Sequence, residues 1–438
     1  MPKFSLHKVD YELLKAIFAS KNAHFFVVEN KEEIAALQES EEGRDMAIIS
    51  TEKFEGAVAY STICNPNGTI RWLFRSDRKK AGFLRLYNAN NLKGRLFKWL
   101  VQLLYFIGLK RLVKHGNIYV SCASESLCEK LEKSFGKKYS IFTGTLGPNR
   151  KLVIESMQGT QAIISKIPLS NKGEKLVENE AKILSKIKLP KPLMIAPKLL
   201  ETGFDEGICV SNIEPKSRDK AAGLSALHIK TMQQFYQLNC VEEAFEKGNF
   251  YQKINAQFKQ LRSLNIQQIK SAALQNLLQK LFALKDELTL KIPEKTSLMH
   301  GDFTPWNMFV SKGKLYVYDW ELAVNDSPAF LDLIHYVFQN GVMVKQQNAK
   351  QILCELKKLE MDLQVYLPEW GLNFSGLLKW YLLFYASYYG NIYAAQGKLH
   401  YQAQNLLIVW EEVINTLVNA NASFPKLEKH PNVGLVNA

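Results

Sequence analysis

The chain has 438 residues, of which 47% are hydrophobic and 22% are charged, and these values are typical of a globular protein with two or three domains. The first residues contain no apolar signal core and no run of about 18 uncharged apolar residues occurs, so we expect neither a secretion signal nor a transmembrane helix. The six cysteines show no Cys-x-x-Cys spacing, which argues against a zinc site or a disulfide framework and favours reduced thiols in a cytoplasmic protein.

The first part of the chain, residues 1–138, is predicted to form a separate α/β region with a basic character. It contains no catalytic motif that we recognise, so its role is left open. Apolar periodicity predicts helices at 11–18, 96–113 and 124–135, and short strands at 25–28, 46–49, 69–74 and 118–121.

The net charge of +14 is concentrated in one segment, from Arg71 to Lys114, which has twelve basic residues and one acidic residue, Asp77. The helix predicted at 96–113 is apolar with cationic flanks. We interpret it first as a core helix with a basic rim. The alternative is peripheral contact of Arg71–Lys114 with an anionic membrane at the inner membrane face, where Trp and Phe insert and Lys and Arg meet lipid. Nucleic acid is not an expected partner, because no recognition motif is present.

Residues 139–215 alternate between strands and turns that contain glycine. Strands are predicted at 139–144, 151–157, 162–166 and 208–213, and a helix is predicted at 175–186. Residues 216–420 are predicted to be mainly helical, with helices at 224–238, 250–264, 267–288, 349–359, 376–396 and 401–418. The tail, residues 421–438, is polar and is expected to be loose.

The motif that carries chemistry lies in the helical part and reads His300-Gly301-Asp302, four residues, Asn307, and then an apolar hairpin that ends at Asp319. Phosphoryl transfer needs a carboxylate that orients and deprotonates the acceptor hydroxyl, and oxygen ligands for Mg²⁺. Asp302 is placed for the first task, and Asn307 is placed for the metal. The hairpin, with strands at 308–310 and 315–318, is predicted to return Asp319 to the same point as a second metal ligand.

This motif resembles that of the aminoglycoside phosphotransferase and choline kinase family, relatives of the protein kinases, over residues of about 139–420. The resemblance implies an α+β, bilobal protein-kinase-like fold: a small antiparallel β lobe at 139–215 that binds the nucleotide, and a helical lobe at 216–420 with the catalytic loop and acceptor site. The N-terminal α/β region would be an addition. ATP and Mg²⁺ are the implied cofactors, and Asp332 would support the catalytic loop.

The resemblance also implies nucleotide-binding residues in the small lobe. Lys166 stands where kinases keep their phosphate-binding lysine, and Glu180 is our choice for its glutamate partner, with Glu178 as the fallback. The glycines of a phosphate-binding turn would be Gly144 and Gly147, although two glycines also simply make a hairpin. The backbone at Asn212 and Ile213 would hold adenine.

The departures from protein kinases indicate a small-molecule acceptor. Gly301 stands where kinases keep an arginine that receives a regulatory phosphate, and the twelve residues between Asp319 and Asp332 leave no room for a long activation loop. Residues 370–410 contain no Asp or Glu, which argues against a polycationic aminoglycoside. Their aromatic side chains are interpreted as helix packing first, and as a sugar-stacking or quaternary-ammonium site second.

The sequence therefore predicts an ATP- and Mg²⁺-dependent phosphotransferase that acts on a hydroxyl group of a small molecule, a glycan or an envelope precursor, with Asp302 as the base. Two alternatives stay open at this point. The protein would be a catalytically silent kinase-like binding module, or a membrane-surface adaptor that acts through its basic N-terminal region.

Overall fold

The computed structural model describes residues 6–40, 44–78, 80–86, 92–144, 147, 149–215, 217–219, 223–242, 245–286, 292–396 and 399–419. The predicted tail at 421–438 lies outside these residues. The fold is mixed α+β, as predicted, and the chain divides into two compact units. The first unit combines Met1–Lys186 with Ala196–Lys216, and the second combines Ile187–Ile195 with Ser217–Ala438.

A sheet of ten strands forms the centre of the first unit within the described residues. Its strands in chain order are β1 (His24–Val28), β2 (Met46–Ser50), β3 (Val58–Cys64), β4 (Ile70–Arg75), β5 (Gly116–Ser121), β6 (Tyr139–Phe142), β7 (Lys151–Gln158), β8 (Gln161–Pro168), β10 (Leu199–Phe204) and β11 (Gly207–Ser211). Their order across the sheet is β1-β2-β5-β3-β4-β6-β7-β8-β11-β10. Strands β1 and β2 run parallel, and every other pair of neighbours is antiparallel.

The sheet runs through the position where the sequence places a boundary, between residues 138 and 139. Strand β6 pairs with β4 on one side, where Trp72 faces Phe142. On its other side β6 pairs with β7, where Tyr139 faces Ser156. The N-terminal α/β region and the strands up to β11 therefore share one sheet, and residues 1–138 are not a separate unit of this structure.

Helices cover this sheet: α1 (Tyr11–Phe18), α2 (Lys31–Ser40), α3 (Leu92–Phe106), α4 (Leu127–Phe135) and α5 (Asn171–Leu184). Helix α4 shows why these segments form where they do, because the Ser126 hydroxyl accepts the N–H of Glu129 at its start and Gly136, at φ +59°, ends it. The apolar residues of α1 and α4 pack with the sheet in one core. In this unit Cys122 Sγ lies 3.1 Å from Cys128 Sγ, a proximity that the sequence did not suggest.

Helix α3 differs from the predicted core helix. Its inner side packs Val101 and Tyr105 against Trp72 and Phe83. Its outer side is open, since Trp99 is 58% exposed. The interpretation of this segment as a buried core helix is therefore wrong for its outer side.

The second unit is mainly helical, as predicted. Its helices are α6 (Ala226–Leu238), α7 (Asn249–Arg262), α8 (Ala272–Asp286), α9 (Leu331–Gln339), α10 (Ala349–Leu363), α11 (Phe374–Tyr381), α12 (Ser387–Ala394) and α13 (Tyr401–Asn419). A π-helical turn at Leu382–Ala386 joins α11 to α12, and another at Asn340–Val344 follows α9. None of the described helices of the chain combines the length and apolarity that a membrane crossing needs.

Five short strands position the motif of the second unit. They are β9 (Met194–Ile195), β12 (Ser297–Met299), β13 (Met308–Ser311), β14 (Lys314–Val317) and β15 (Val324–Ser327). Strands β13 and β14 form the predicted hairpin, and β14 also pairs in parallel with β9. Strand β12 pairs with β15, so the motif from His300 to Asp319 begins and ends next to paired strands.

Candidate active site

The loop after β12 has a backbone that only glycine permits at its second residue. Gly301 adopts φ +82°, and a Cβ added there would lie 2.1 Å from the carbonyl oxygen of Leu322. Any other residue would be strained and would collide with backbone. The position where protein kinases keep an arginine therefore cannot hold a side chain in this structure.

His300 ties this loop to the end of the hairpin. Its Nδ1 accepts the backbone N–H of Asp302 at 3.2 Å, so the proton of the neutral ring is on Nε2. Nε2 lies 3.0 Å from the carbonyl oxygen of Tyr318 and donates to it. The histidine of the motif is fully buried and has a structural role, because it connects the backbone of Asp302 to that of Tyr318, the residue before Asp319.

Asp332, at the start of α9, holds the loop from the other side. Its Oδ2 accepts the N–H of His300 at 2.8 Å and the hydroxyl of Tyr236 at 3.1 Å, and its Oδ1 accepts the N–H of Gly301 at 3.0 Å. Burial raises the pKa of the Asp332 carboxyl, and the bonds from the two backbone N–H groups counter part of that rise. The predicted supporting role of Asp332 is confirmed by these contacts.

The structure brings Asp302 and Asn307 into direct contact. Asn307 Nδ2 donates to Asp302 Oδ2 at 2.7 Å and to the Asp302 carbonyl oxygen at 3.1 Å. This orientation directs the amide nitrogen of Asn307 to the carboxylate, so its Oδ1 is the atom that could bind the predicted metal. The Asp302 side chain is 22% exposed, so a substrate hydroxyl has access to it.

His335 is a residue of this site that the sequence reasoning missed. Its Nε2 lies 3.4 Å from Asp302 Oδ1, and its Nδ1 lies 3.4 Å from the Tyr381 hydroxyl. The ring is fully buried and stacks on Tyr385 with centroids 4.1 Å apart. A sequence signal existed, because His335 follows Asp332 by three residues on α9 and therefore lies on the same helix face.

The hairpin returns Asp319 towards Asn307, as its spacing predicted. The N–H of Tyr318 donates to the carbonyl oxygen of Asn307 at 3.1 Å, one residue before Asp319. Asp319 adopts a left-handed backbone, φ +67°, and a carboxylate oxygen of Glu321 lies within 4.8 Å of one of its own. Two carboxylates and an amide oxygen are the hard ligands that Mg²⁺ prefers, so these residues fit the implied metal. Glu321 was not among the predicted ligands.

The predicted lysine–glutamate pair forms in the first unit. Lys166, on β8, places its Nζ 2.7 Å from Glu180 Oε1 and 2.5 Å from Oε2, and both side chains are buried. Glu178, the fallback, is exposed on another side of α5. The contact agrees with the prediction, whereas a role in phosphate binding stays a prediction.

The other residues predicted to bind the nucleotide are Gly144, Gly147, Asn212 and Ile213. Gly144 adopts φ +73°, and a Cβ added there would lie 2.3 Å from the carbonyl oxygen of Lys151, so the hairpin by itself requires glycine at this position. Between Gly144 and Gly147, residues 145 and 146 lie outside the described part of the chain. The N–H of Asn212 already donates to the Ala162 carbonyl oxygen at 3.1 Å, so an adenine contact there would have to use its carbonyl oxygen or the backbone of Ile213.

The aromatic residues of α11 and of the π-helical turn that follows it are mostly core. Trp380 and Phe384 are buried, and Phe384 stacks on Phe250. Tyr385 is buried too, and its hydroxyl donates to the Gly301 carbonyl oxygen at 3.1 Å. The packing interpretation is therefore confirmed for these residues. Half-buried Tyr388 also has a packing partner, because its ring lies 5.2 Å from the ring of Tyr389.

Comparison with known proteins bears directly on this site. Residues 191–343 match the family model described as the phosphotransferase enzyme family. The match covers about a third of the chain and includes the motif from His300 to Asp319, so the predicted resemblance is confirmed over that stretch. No curated protein sequence matches the chain.

Solved structures similar to the chain include two kinases and one aminoglycoside phosphotransferase. Choline kinase LicA from Streptococcus pneumoniae is 14% identical with a TM-score of 0.40, and the match covers 66% of this chain and 97% of that one. A thermostable mutant of an aminoglycoside phosphotransferase, in complex with ADP and hygromycin B, is 14% identical with a TM-score of 0.40, covering 67% and 99%. A putative fructosamine-3-kinase from Haemophilus somnus is 14% identical with a TM-score of 0.39, covering 66% and 96%.

Proposed function

We propose that the protein transfers the γ-phosphoryl group of ATP, in the presence of Mg²⁺, to a hydroxyl group of a small molecule, a glycan or an envelope precursor. The observation that carries this proposal is the 2.7 Å contact of Asn307 with Asp302 in a loop that Asp332 fixes. The match of residues 191–343 to the phosphotransferase family supports the class of reaction.

Asp302 is the proposed base. It accepts the proton of the acceptor hydroxyl as the acceptor oxygen bonds to the γ-phosphorus and the bond from that phosphorus to the oxygen of the leaving ADP breaks. Asn307 holds Oδ2 of the carboxylate, and His335 faces Oδ1. His335 is a positioning residue in this scheme, because it contacts the base and acts through it.

Asn307, Asp319 and Glu321 are the residues that would hold Mg²⁺. The ion would neutralise charge on the phosphates and so stabilise the transition state. The chain supplies two carboxylates for this purpose, held at the end of a hydrogen-bonded hairpin, and the amide oxygen that the orientation of Asn307 leaves open.

The nucleotide residues of the first unit form the second part of the proposal. Lys166 would bind ATP phosphates with its ammonium group oriented by Glu180, which accepts from it at 2.7 Å. Gly144 and Gly147 would let backbone N–H groups approach the phosphates. The backbone at Asn212 and Ile213 would contact adenine.

A screen for acceptor-dependent ATP consumption tests the proposal. Purified protein would be supplied with Mg·ATP and a panel of alcohols, amino sugars and cell-envelope precursors, with release of ADP as the measured quantity. The matched control is Asp302→Asn, which keeps the shape of the side chain and removes the base. Acceptor-stimulated ADP release that the control lacks supports the proposal. Mg·ATP binding without turnover on every acceptor class favours the silent binding module.

A further inference from the structure

The outer side of α3 presents a continuous apolar surface, which we call the α3 stripe. It consists of Leu96, Trp99, Leu100, Phe106 and Ile107. Spacings of three, four and seven residues put Leu96, Trp99, Leu100 and Phe106 on one face of the helix, and Ile107 follows its last residue. They are 62%, 58%, 44%, 89% and 51% exposed, respectively, whereas single exposed apolar residues are what a protein surface ordinarily shows.

The inner side of the same helix already has its packing partners. Val101 and Tyr105 contact the aromatic residues Trp72 and Phe83 of the first unit. The α3 stripe is therefore additional to what the fold needs, and it continues past the helix end through exposed Leu109 and Leu112. Exposing these apolar side chains to water is unfavourable, and a partner that covered them would remove that cost.

The basic residues around the α3 stripe indicate the charge of the partner that would cover it. Residues 78–124 contain ten lysines and arginines and no acidic residue. Several of these cations are used within the fold: Arg78 and Arg85 pair with Glu155, and Lys98 pairs with Glu214. Lys80 and Arg111 are exposed, and no acidic side chain pairs with either of them among the described residues.

The combination of exposed aromatic and aliphatic side chains with cations, in a segment that contains no acidic residue, matches the surface of an anionic lipid bilayer. Trp and Phe rings enter the interface between headgroups and acyl chains, and Lys and Arg are attracted by the negative surface potential. With 15 residues, α3 is about 22 Å long, too short to cross a bilayer and suited to lie along its surface.

We infer that the protein docks on an anionic membrane surface through the α3 stripe, with Lys80 and Arg111 contacting lipid headgroups. This inference rests on the first unit alone and is independent of the proposed phosphotransferase activity. It also gives the first unit a role that the catalytic motif does not supply.

Binding of the full chain to vesicles tests the inference. The vesicles are phosphatidylcholine alone and phosphatidylcholine with phosphatidylglycerol, compared at low and high salt by co-sedimentation. We expect binding to the anionic vesicles to be about tenfold tighter than to the neutral ones, and to weaken as salt screens the charges. The double variant Trp99→Ser/Phe106→Ser should lose about tenfold in affinity for the anionic vesicles.

The matched control is Val365→Ser/Tyr401→Ser, which removes two exposed apolar side chains of the second unit, 71% and 73% exposed. It should bind as the wild type does. Thermal unfolding of all variants should coincide, because every substituted side chain lies at the surface. A binding loss shared by the control would overturn the assignment to α3.

Intrinsic fluorescence gives a second measurement, because Trp99 is the exposed one of seven tryptophans. Its emission should shift to the blue on anionic vesicles, and Trp99→Phe should bind while losing the shift. Equal binding to neutral and anionic vesicles, or binding to neither, overturns the inference. A dimer that Trp99→Ser/Phe106→Ser dissociates, without vesicle binding by the wild type, would mean that a second copy covers the stripe.

Discussion

Replacing Asp332 by asparagine should uncouple the catalytic loop from its support without touching the reacting groups. The carboxylate accepts three donors: the N–H groups of His300 and Gly301, and the hydroxyl of Tyr236. Asparagine offers one acceptor oxygen in place of two. At least one backbone N–H would then face an NH₂ group, and the loop that carries Asp302 would have to shift.

The magnitude follows from these contacts. A bond to a charged acceptor contributes about 1.5–3 kcal/mol, and a buried donor left unsatisfied costs about 1–3 kcal/mol. Part of this is offset because the variant no longer buries a charge, so we expect the free energy of unfolding to fall by about 2–4 kcal/mol. A loop displacement of the order of 1 Å should lower kcat by about 100-fold.

Thermal unfolding and steady-state kinetics on the identified acceptor measure the two effects. Tyr236→Phe is the matched control, because it removes the third hydrogen bond to Asp332 and leaves both bonds to the loop. It should lower the free energy of unfolding by about 1 kcal/mol and leave kcat unchanged. An Asp332→Asn protein with wild-type kcat, or a Tyr236→Phe protein with an equal loss of kcat, would refute the supporting role.

Four further substitutions have defined outcomes. Asp319→Ala should weaken Mg·ATP binding as well as turnover, because it removes a charged metal ligand. Asn307→Ala should have the same effects more mildly, since an amide carries no charge. An unchanged Mg·ATP affinity of Asp319→Ala, measured by calorimetry, would contradict the assignment of Asp319 as a metal ligand. His335→Gln should lower kcat about tenfold with little change in KM for ATP, because one weak contact to the base is lost; a change in KM alone would count against a positioning role. Burial lowers the pKa of His228 to about 4, so its stabilising contribution is complete above the unfolded pKa of about 6.5 and is lost as pH falls towards 4. His228→Gln, which keeps a side-chain acceptor for the N–H of Ser225, should flatten that loss in acid unfolding, and an unchanged pH dependence would exclude His228 as its source.

The arrangement of residues 300–319 could be predicted because it depends on residues that are close together in the sequence. The spacing from His300 to Asn307 and the hairpin up to Asp319 depend on neighbours in sequence, and the hairpin forms where the apolar pattern placed it. The Lys166–Glu180 contact was predicted from the resemblance to kinases, in which a strand lysine pairs with a glutamate of the following helix.

The features that the sequence did not predict depend on contacts between residues that are far apart in the chain. Strand β6 joins the N-terminal strands to the later ones through a ladder between residues about 70 positions apart, and no local pattern specifies that register. His335 approaches Asp302 across 33 positions, and it is the single histidine of α9. Helix α3 is apolar on both sides, and periodicity alone does not tell which side is packed.

The central claim is that Asp302 is the general base that accepts the proton of the acceptor hydroxyl. The turnover of Asp302→Asn tests this claim most directly. The variant and the wild type would be compared for phosphoryl transfer from labelled ATP to the acceptor, with Mg·ATP affinity measured by calorimetry on the same preparations. Loss of a general base costs about 10²–10⁴-fold in rate, so we predict a fall in kcat of that order with Mg·ATP affinity little changed. Near wild-type transfer by Asp302→Asn would contradict the account.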